Sequence, residues 1–147
     1  MMKLTRSIGL IALLLLTTAS AYSQGAGIEW DILNKEVMSL YQKGQYDRAV
    51  IVAKKALEIA EKALGPDHPD VATSLNNLAE LYRTQGQYAQ AEPLYKRSLV
   101  IWEKALGPDH PNVATSLENM AVLYRETGRV KAGQELEKRV LAIRARQ

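Results

Sequence analysis

A 42-residue repeat is the feature that most constrains what this chain can fold into. Residues 65–86 read GPDHPDVATSLNNLAELYRTQG and residues 107–128 read GPDHPNVATSLENMAVLYRETG, and 16 of the 22 aligned positions are identical. The same spacing continues toward the N-terminus, where Gly44 aligns with Gly86 and Gly128. Repetition at this period is typical of helical solenoids, in which each unit packs on the next. We therefore predict three repeats, at approximately 28–64, 65–106 and 107–147.

Hydrophobic spacing divides each repeat into two helices. Leu75, Leu78, Ala79 and Tyr82 lie at i, i+3, i+4 and i+7, which places them on one stripe of a helix. One helix pair cannot bury such a stripe alone, so successive pairs must stack, and a constant rotation between them produces a superhelix with a concave face. The prediction is an all-α fold of three helix-turn-helix repeats. The six predicted helices are 28–43, 47–63, 69–85, 89–105, 111–127 and 131–146.

Glycine and proline mark the predicted helix ends. In the second repeat, Gly65 can take the left-handed conformation that ends a helix, and Pro66 prevents the helix from continuing. Pro69 suits the first position of the next helix, where a missing N–H costs nothing, and this places His68 at the N-cap. Pro93 lies near the start of a second helix, so we expect a slight bend there and no break.

The N-terminus has the order of a secretory signal peptide. Basic Lys3 and Arg6 precede an apolar run at 8–16, and small and polar residues follow. The apolar run is nine residues long, about half of the roughly 20 that a membrane-spanning helix needs. We therefore predict a cleaved signal peptide at 1–23, a mature domain at 24–147, no stable membrane insertion, and a periplasmic or secreted location. Two cleavage sites remain open, before Tyr22 and before Gln24.

Composition argues against several functional classes. The chain has 19 basic and 16 acidic residues, and without Lys3 and Arg6 its net charge is about +1. This balance argues against a nucleic-acid partner. The absence of cysteine excludes a thiolate nucleophile and a Cys-ligated metal, and His68 and His110 are better explained as helix caps than as metal ligands. Because no catalytic grouping or cofactor motif appears, we expect neither an enzyme nor a bound cofactor.

The segment from Leu75 to Ala114 matches the pattern LxNLAxLYxxxGxYxxAExLYxRxLxIxExxLGPDHPxVA almost without exception. By this pattern the chain resembles the tetratricopeptide repeat family, in the 42-residue variety found in kinesin light chains, over residues 28–147. The resemblance implies a right-handed superhelix and a module that binds proteins or peptides. It also implies close helix packing at small residues, which fall here on Ala79, Ala91, Ser98, Ala121 and Gly133.

The last repeat departs from the pattern at two positions. Where the second repeat has Tyr95 and Trp102, the third has Glu137 and Arg144. Charged residues at these positions suit a terminal repeat whose outer face meets water. Because the family's usual capping helix is absent, some apolar residues of the last helix should stay partly exposed, which leaves self-association open. The residues expected to be exposed in this way are Val140 and Ile143.

The first helix of each repeat is expected to line the concave face. Successive residues are 100° apart around a helix, so the positions opposite the apolar stripe can be read from the sequence. The predicted binding face consists of Asn34, Met38, Tyr41 and Gln42 in the first repeat, Thr73, Asn76, Asn77, Glu80, Arg83 and Thr84 in the second, and Thr115, Glu118, Asn119, Val122, Arg125 and Glu126 in the third.

Family resemblance also suggests roles for some of these side chains. It implies that Asn77 and Asn119 hold the backbone of an extended peptide, since an amide both donates and accepts hydrogen bonds. Arg83 and Arg125 could then bind acidic side chains or a C-terminal carboxylate. The alternative is that all four are consensus residues kept for solubility and for contacts between helices.

Two functions therefore stay open from the sequence. The first is a periplasmic or secreted scaffold that binds a peptide or protein partner on its concave face. The second is a structural role, in which the chain forms homo-oligomers through its terminal repeats and the concave face is unused.

Overall fold

The computed structural model describes the backbone of residues 5–147 and the side chains of residues 24–147. The predicted signal peptide at 1–23 therefore falls outside the residues whose side chains are described. The described backbone forms six helices and no strand. These are α1 (Thr5–Gln42), α2 (Tyr46–Leu64), α3 (Pro69–Thr84), α4 (Tyr88–Leu106), α5 (Pro111–Glu126) and α6 (Val130–Arg144). Among the described residues, no helix has both the length and the apolar character that crossing a bilayer requires.

The helix pattern agrees with the prediction except at the start of α1. Helices α2 to α6 begin and end within about two residues of the predicted positions, the usual uncertainty of helix ends. The predicted start of the first helix at residue 28 is wrong, because α1 already begins at Thr5. Gly25 and Gly27 lie inside α1, since an isolated glycine costs a helix only about 1 kcal/mol and does not end it. Helix α4 continues through Pro93, so this proline does not break it.

Histidine caps begin two of the helices, as predicted. The backbone of His68 is extended, with φ −75° and ψ 143°, and its Nδ1 accepts a hydrogen bond of 3.1 Å from the N–H of Asp70. His110 repeats the arrangement with the N–H of Asn112, also at 3.1 Å. Each ring therefore satisfies one of the backbone donors that a helix start leaves unpaired.

Glycine ends α2 and α4, although not in the conformation expected. Gly65 and Gly107 have φ of 89° and 92°, with ψ of 159° and 157°. This extended backbone at positive φ is essentially restricted to glycine and differs from the left-handed helical turn that we predicted. Each glycine then opens a tight turn, in which its carbonyl oxygen accepts a 3.3 Å hydrogen bond from the N–H of the next capping histidine.

Small residues allow the two helices of a repeat to approach closely. Ser98 in α4 donates a 2.8 Å hydrogen bond to the carbonyl oxygen of Ala72 in α3. In the third repeat, a Cβ added to Gly133 would lie 3.0 Å from the carbonyl oxygen of Ala121. A Cβ at Gly133 would therefore crowd α5, and a side chain larger than serine at position 98 would crowd α3. The other predicted small residues, Ala79, Ala91 and Ala121, are also buried.

The repeats share a core that continues from one to the next. One buried cluster, around Leu81 and Tyr95, includes residues of α1 through α5. A second, around Leu75 and Trp102, includes residues of α2 through α6. Leu94 packs against both clusters, so they form one apolar layer along the stack. The repeats therefore stack on one another, as the repeat spacing predicted.

The apolar residues of α6 do not lie as expected. Val140 and Ile143 are 4% and 2% exposed, so the prediction that they stay partly exposed is wrong. They align with Ser98 and Ile101, which are buried against the first helix of their own repeat, and α6 turns them inward in the same way. The large apolar side chains of α6 that stay in water are Val130 and Leu141, which are 49% and 67% exposed.

Candidate functional site

Asparagine pairs connect the first helices of neighbouring repeats. The Nδ2 of Asn77 donates to the Oδ1 of Asn34 at 3.1 Å, and the Nδ2 of Asn119 donates to the Oδ1 of Asn76 at 3.2 Å. Each pair joins residues 43 positions apart, one more than the sequence period. Asn76 is 9% exposed, so its amide lies between helices and not on an open wall. These asparagines therefore support the stacking of α1, α3 and α5.

The guanidinium of Arg83 lies at the centre of a network of charged side chains. Its Nη2 lies 2.5 Å from Glu80 Oε1 and its Nη1 lies 2.8 Å from Glu126 Oε1, the latter again 43 positions away. The hydroxyl of Tyr95 donates to Glu80 Oε2 at 2.6 Å. Hydrogen bonding to Glu80 raises the pKa of Arg83, and burial, followed by the bond to Glu80, raises the pKa of Tyr95. Both groups therefore keep their protons, and this network links α3, α4 and α5.

Arg125 and Glu118 also have partners within the chain. Arg125 forms an ion pair with Glu137 of α6, and Glu118 lies 2.6 Å from Arg144 of the same helix. A partner carboxylate at Arg83 or Arg125 would therefore compete with a glutamate that is already bound. Both arginines predicted to line the concave face are thus paired with a glutamate of the described chain.

A small pocket opens between α1 and α3, on the face predicted to be concave. Its volume is about 170 Å³, and Met38 on its wall is 52% exposed. Val37 and Leu81 are buried beneath it, so the pocket has an apolar floor. Asn77 and Glu80 supply its polar edge. Its lining consists of Val37, Met38, Tyr41, Asn77, Glu80 and Leu81, which we call the α1–α3 pocket.

A shallower depression adjoins this pocket along α1. It adds residues that the sequence reasoning did not select, although it shares Asn34, Met38, Gln42, Thr73 and Asn77 with the predicted face. The additional residues are Trp30, Asp31, Lys35 and Ser39. Trp30 is held in place because its Nε1 donates a 2.7 Å hydrogen bond to Ser74 Oγ in α3. Bonded residues of α1 and α3 lie 43 or 44 positions apart, so the 42-residue period alone does not identify these pairs.

A second opening lies at the other end of the chain, between α5 and α6. Val122 forms part of its apolar floor, whereas Glu118 and Arg125 line its charged edge. We call this opening the C-terminal groove, and it is lined by Glu118, Ala121, Val122, Arg125, Glu137, Val140, Leu141 and Arg144. The predicted binding face is therefore divided: the first repeat and α3 share one pocket, and α5 contributes to another.

The remaining predicted residues have roles inside their own helices. The hydroxyls of Thr73, Thr84 and Thr115 donate to the carbonyl oxygens four residues earlier, at 3.3, 2.9 and 3.2 Å. In the part of the chain with described side chains, no group of three His, Asp or Glu side chains is placed to hold a metal ion.

The fold and these openings define a class of protein, the helical-repeat scaffold. A family model described as "Tetratricopeptide repeat" matches residues 31–99 and 78–146. The chain therefore belongs to the tetratricopeptide repeat family, and its repeats are of the kinesin-light-chain type.

Solved structures of related proteins support the same conclusion. BtubC (BKLC) from P. vanneervenii superposes with a TM-score of 0.75 and 27% identity, covering 80% of this chain and 46% of that one. A Podosopora anserina putative kinesin light chain with nearly identical TPR-like repeats gives a TM-score of 0.72 and 30% identity, covering 78% of this chain and 55% of that one. This chain thus spans about half the length of either structure.

A curated relative matches over a shorter segment. The RxLR effector protein SFI4 of Phytophthora infestans (strain T30-4) is 36% identical over 67 residues, which cover 46% of this chain and 20% of that protein. The chain therefore spans only a small part of that relative, and the match supports the repeat and nothing beyond it.

Proposed function

We propose that this chain is a secreted or periplasmic scaffold that binds an extended segment of a protein partner on its concave face. The tetratricopeptide fold supports a protein–protein interaction module. We choose this surface because of the α1–α3 pocket, where the exposed Met38 and an apolar floor lie beside the polar Asn77. A flexible methionine at an open groove is typical of binding surfaces that adapt to their partner.

The contacts of the pocket indicate the chemistry of its partner. Asn77 donates one N–H to Asn34, so its carbonyl oxygen is available to accept a backbone N–H from a peptide. The apolar floor would take one apolar side chain of that peptide. Since Arg83 is engaged by Glu80 and Glu126, a terminal carboxylate is not the preferred anchor. The favoured partner is a segment that presents an apolar side chain and a free backbone N–H.

Site-specific crosslinking tests this surface directly. A photoreactive amino acid placed at Met38 should form a covalent adduct with the partner in the native envelope fraction. The matched control is the same group at Val100, which is 61% exposed on α4. A partner captured at residue 38 and not at residue 100, then identified by mass spectrometry, supports the proposal. Equal capture at both positions, or none at residue 38, counts against it.

Location requires its own measurement. The full-length chain should be recovered outside the cytoplasm with an N-terminus at Tyr22 or Gln24, as read by N-terminal sequencing. Recovery in the cytoplasm with Met1 or Met2 at its start would contradict secretion and leave the concave face to be tested separately.

A further inference from the structure

The outer face of α1 carries an apolar residue at a position that is buried in the other repeats. Ile32 aligns with Ser74 and Ser116, which are 1% and 0% exposed, whereas Ile32 is 59% exposed. Ser74 faces the preceding repeat, since its hydroxyl accepts the hydrogen bond from Trp30. Ile32 therefore lies on the surface where α1 would meet a preceding repeat.

Lys35 lies on the same outer face. It aligns with Asn77 and Asn119, and each of these bonds to an asparagine of the repeat before it. Those acceptors are Asn34 and Asn76, and the residue that aligns with them in the third repeat is Glu118. At the C-terminal end, the acceptor position is thus occupied by the carboxylate of Glu118. At the N-terminal end, the donor position is occupied by Lys35.

A second pair of opposite charges falls at equivalent positions. In the interior of the stack, Trp102 of α4 and Val113 of α5 belong to the same core cluster. The residue that aligns with Trp102 in α6 is Arg144, and the residue that aligns with Val113 in α1 is Glu29. Where the interior junction is apolar, the two ends of the chain therefore carry complementary charges.

We propose that the C-terminal groove binds α1 of a second copy of this chain, which continues the superhelix from one molecule to the next. In this junction Lys35 of one copy meets Glu118 of the other, Glu29 meets Arg144, and Ile32 covers the apolar floor. The contact is heterologous, because different surfaces meet, and such contacts lead to open chains of molecules and not to closed dimers. This inference concerns the ends of the molecule and is independent of the partner proposed for the concave face.

The ion pairs of the isolated chain do not prevent this junction. Glu118 is paired with Arg144, and Glu29 with Lys55 at 3.2 Å, in side chains that are 38% to 60% exposed. Exposed ion pairs contribute little to stability, so their exchange for pairs across the junction costs little. Glu137, which stands at the position of Tyr95, keeps Arg125 as its counter-ion. The junction is therefore more polar than the interior ones and should be weaker.

Charge reversal gives a sharp test by sedimentation velocity. The expressed chain, with its N-terminus defined by mass spectrometry, should increase in mean mass with concentration. Lys35→Glu and Glu118→Lys should each weaken association by about tenfold or more, because each places like charges at the junction. An equimolar mixture of the two variants should associate again, since each supplies the charge that the other lacks. Lys131→Glu and Glu135→Lys, which reverse exposed charges on α6, are the matched controls and should behave as the unmodified chain.

The mixture separates this junction from other modes of association. Aggregation through the apolar N-terminus would persist in both single variants. A symmetric contact between two α1 helices would respond to Lys35→Glu alone. Either result overturns the proposal, as does a chain that stays monomeric at all concentrations or a mixture that fails to associate.

Discussion

Glu92 ties the second repeat to the turn that follows α5. Its carboxylate accepts two hydrogen bonds from Arg129, at 2.8 and 3.0 Å, and lies 2.7 Å from the Lys96 ammonium. The guanidinium of Arg129 also lies 4.0 Å from the centre of the Tyr124 ring. Hydrogen bonding to Arg129, and after it to Lys96, lowers the pKa of Glu92 to about 2. One acidic residue thus links α4 to the start of α6.

This pKa predicts how stability depends on pH. A carboxyl group whose pKa is lower in the folded chain stabilises the fold above its ordinary value, here 4.5, and the contribution is lost as the pH falls toward 2. Glu92→Gln should therefore lower the free energy of unfolding by about 1 kcal/mol at pH 7, a modest value because Arg129 and Lys96 are well exposed. Urea denaturation should show the difference shrinking between pH 4.5 and pH 2.

The matched control for this titration is Glu135→Gln. Glu135 pairs with Lys138 in side chains that are about 70% exposed, so its removal should change stability little at either pH. A Glu92→Gln variant whose deficit stays constant down to pH 2 would show that the charge of Glu92 does not explain its loss.

Single residues differ in how well the sequence predicts their role. The caps at His68 and His110 are fixed by neighbours two positions away, so local reasoning found them. Arg83 has one local partner, Glu80, but Glu126 meets it from the next repeat, 43 residues on. This 43-residue spacing depends on the tilt between neighbouring helices, which cannot be read from the local sequence. The predicted face was therefore read without knowing which of its charges were already paired.

At the scale of the element, helix ends were predictable because glycine and proline specify them locally. The start of α1 was not, since Gly25 and Gly27 weaken a helix without ending it and no histidine cap precedes them. Burial of Val140 and Ile143 was missed for a different reason. Whether an apolar residue of a terminal helix is covered depends on how that helix rotates on its neighbour, which only the packing of α6 on α5 decides.

Glycine at the end of α4 gives an element-scale prediction. Gly107→Ala should lower the free energy of unfolding by about 1 to 2 kcal/mol, because a Cβ is disfavoured at φ 92°. Its matched control is Gly27→Ala in α1, where a Cβ meets nothing within 4 Å and alanine favours the helix. That change should be neutral or should stabilise by up to about 1 kcal/mol. Chemical denaturation measures both, and equal effects would contradict this account of the helix end.

Packing of α5 gives a second prediction at this scale. Leu123 is fully buried in the cluster that joins α1 to α5, so Leu123→Ala should cost about 2 to 5 kcal/mol and lower the melting temperature. Leu141→Ala makes the same change at a side chain that is 67% exposed and should alter stability by about 0.5 kcal/mol or less. Calorimetry should therefore show a large drop in melting temperature for Leu123→Ala and little change for Leu141→Ala.

At the scale of the molecule, the repeat spacing predicted the stack because each helix pair needs a neighbour to cover its apolar stripe. Glu137 and Arg144 indicated that the last repeat differs from the interior, but the sequence did not show which apolar residues stay exposed at the two ends. The second repeat is covered on both sides, whereas α1 and α6 each have one open face, with Ile32 and Leu141 exposed. The C-terminal groove follows from this asymmetry, since it lies between α5 and α6 and the exposed Leu141 lines it.

Hydrogen exchange should show this asymmetry as a gradient of protection. In a solenoid, stability is approximately a sum of repeat and interface terms, so helices with neighbours on both sides open least often. Helix α3 buries nine residues and α6 buries three, and amides of α3 should therefore exchange most slowly. The measurement should use the Lys35→Glu variant, in which association through the ends is weakened and cannot protect α6. Because exchange in α6 then reports only the covering that α5 provides, equal protection of α3 and α6 would mean that the three repeats unfold as one unit and not from the ends.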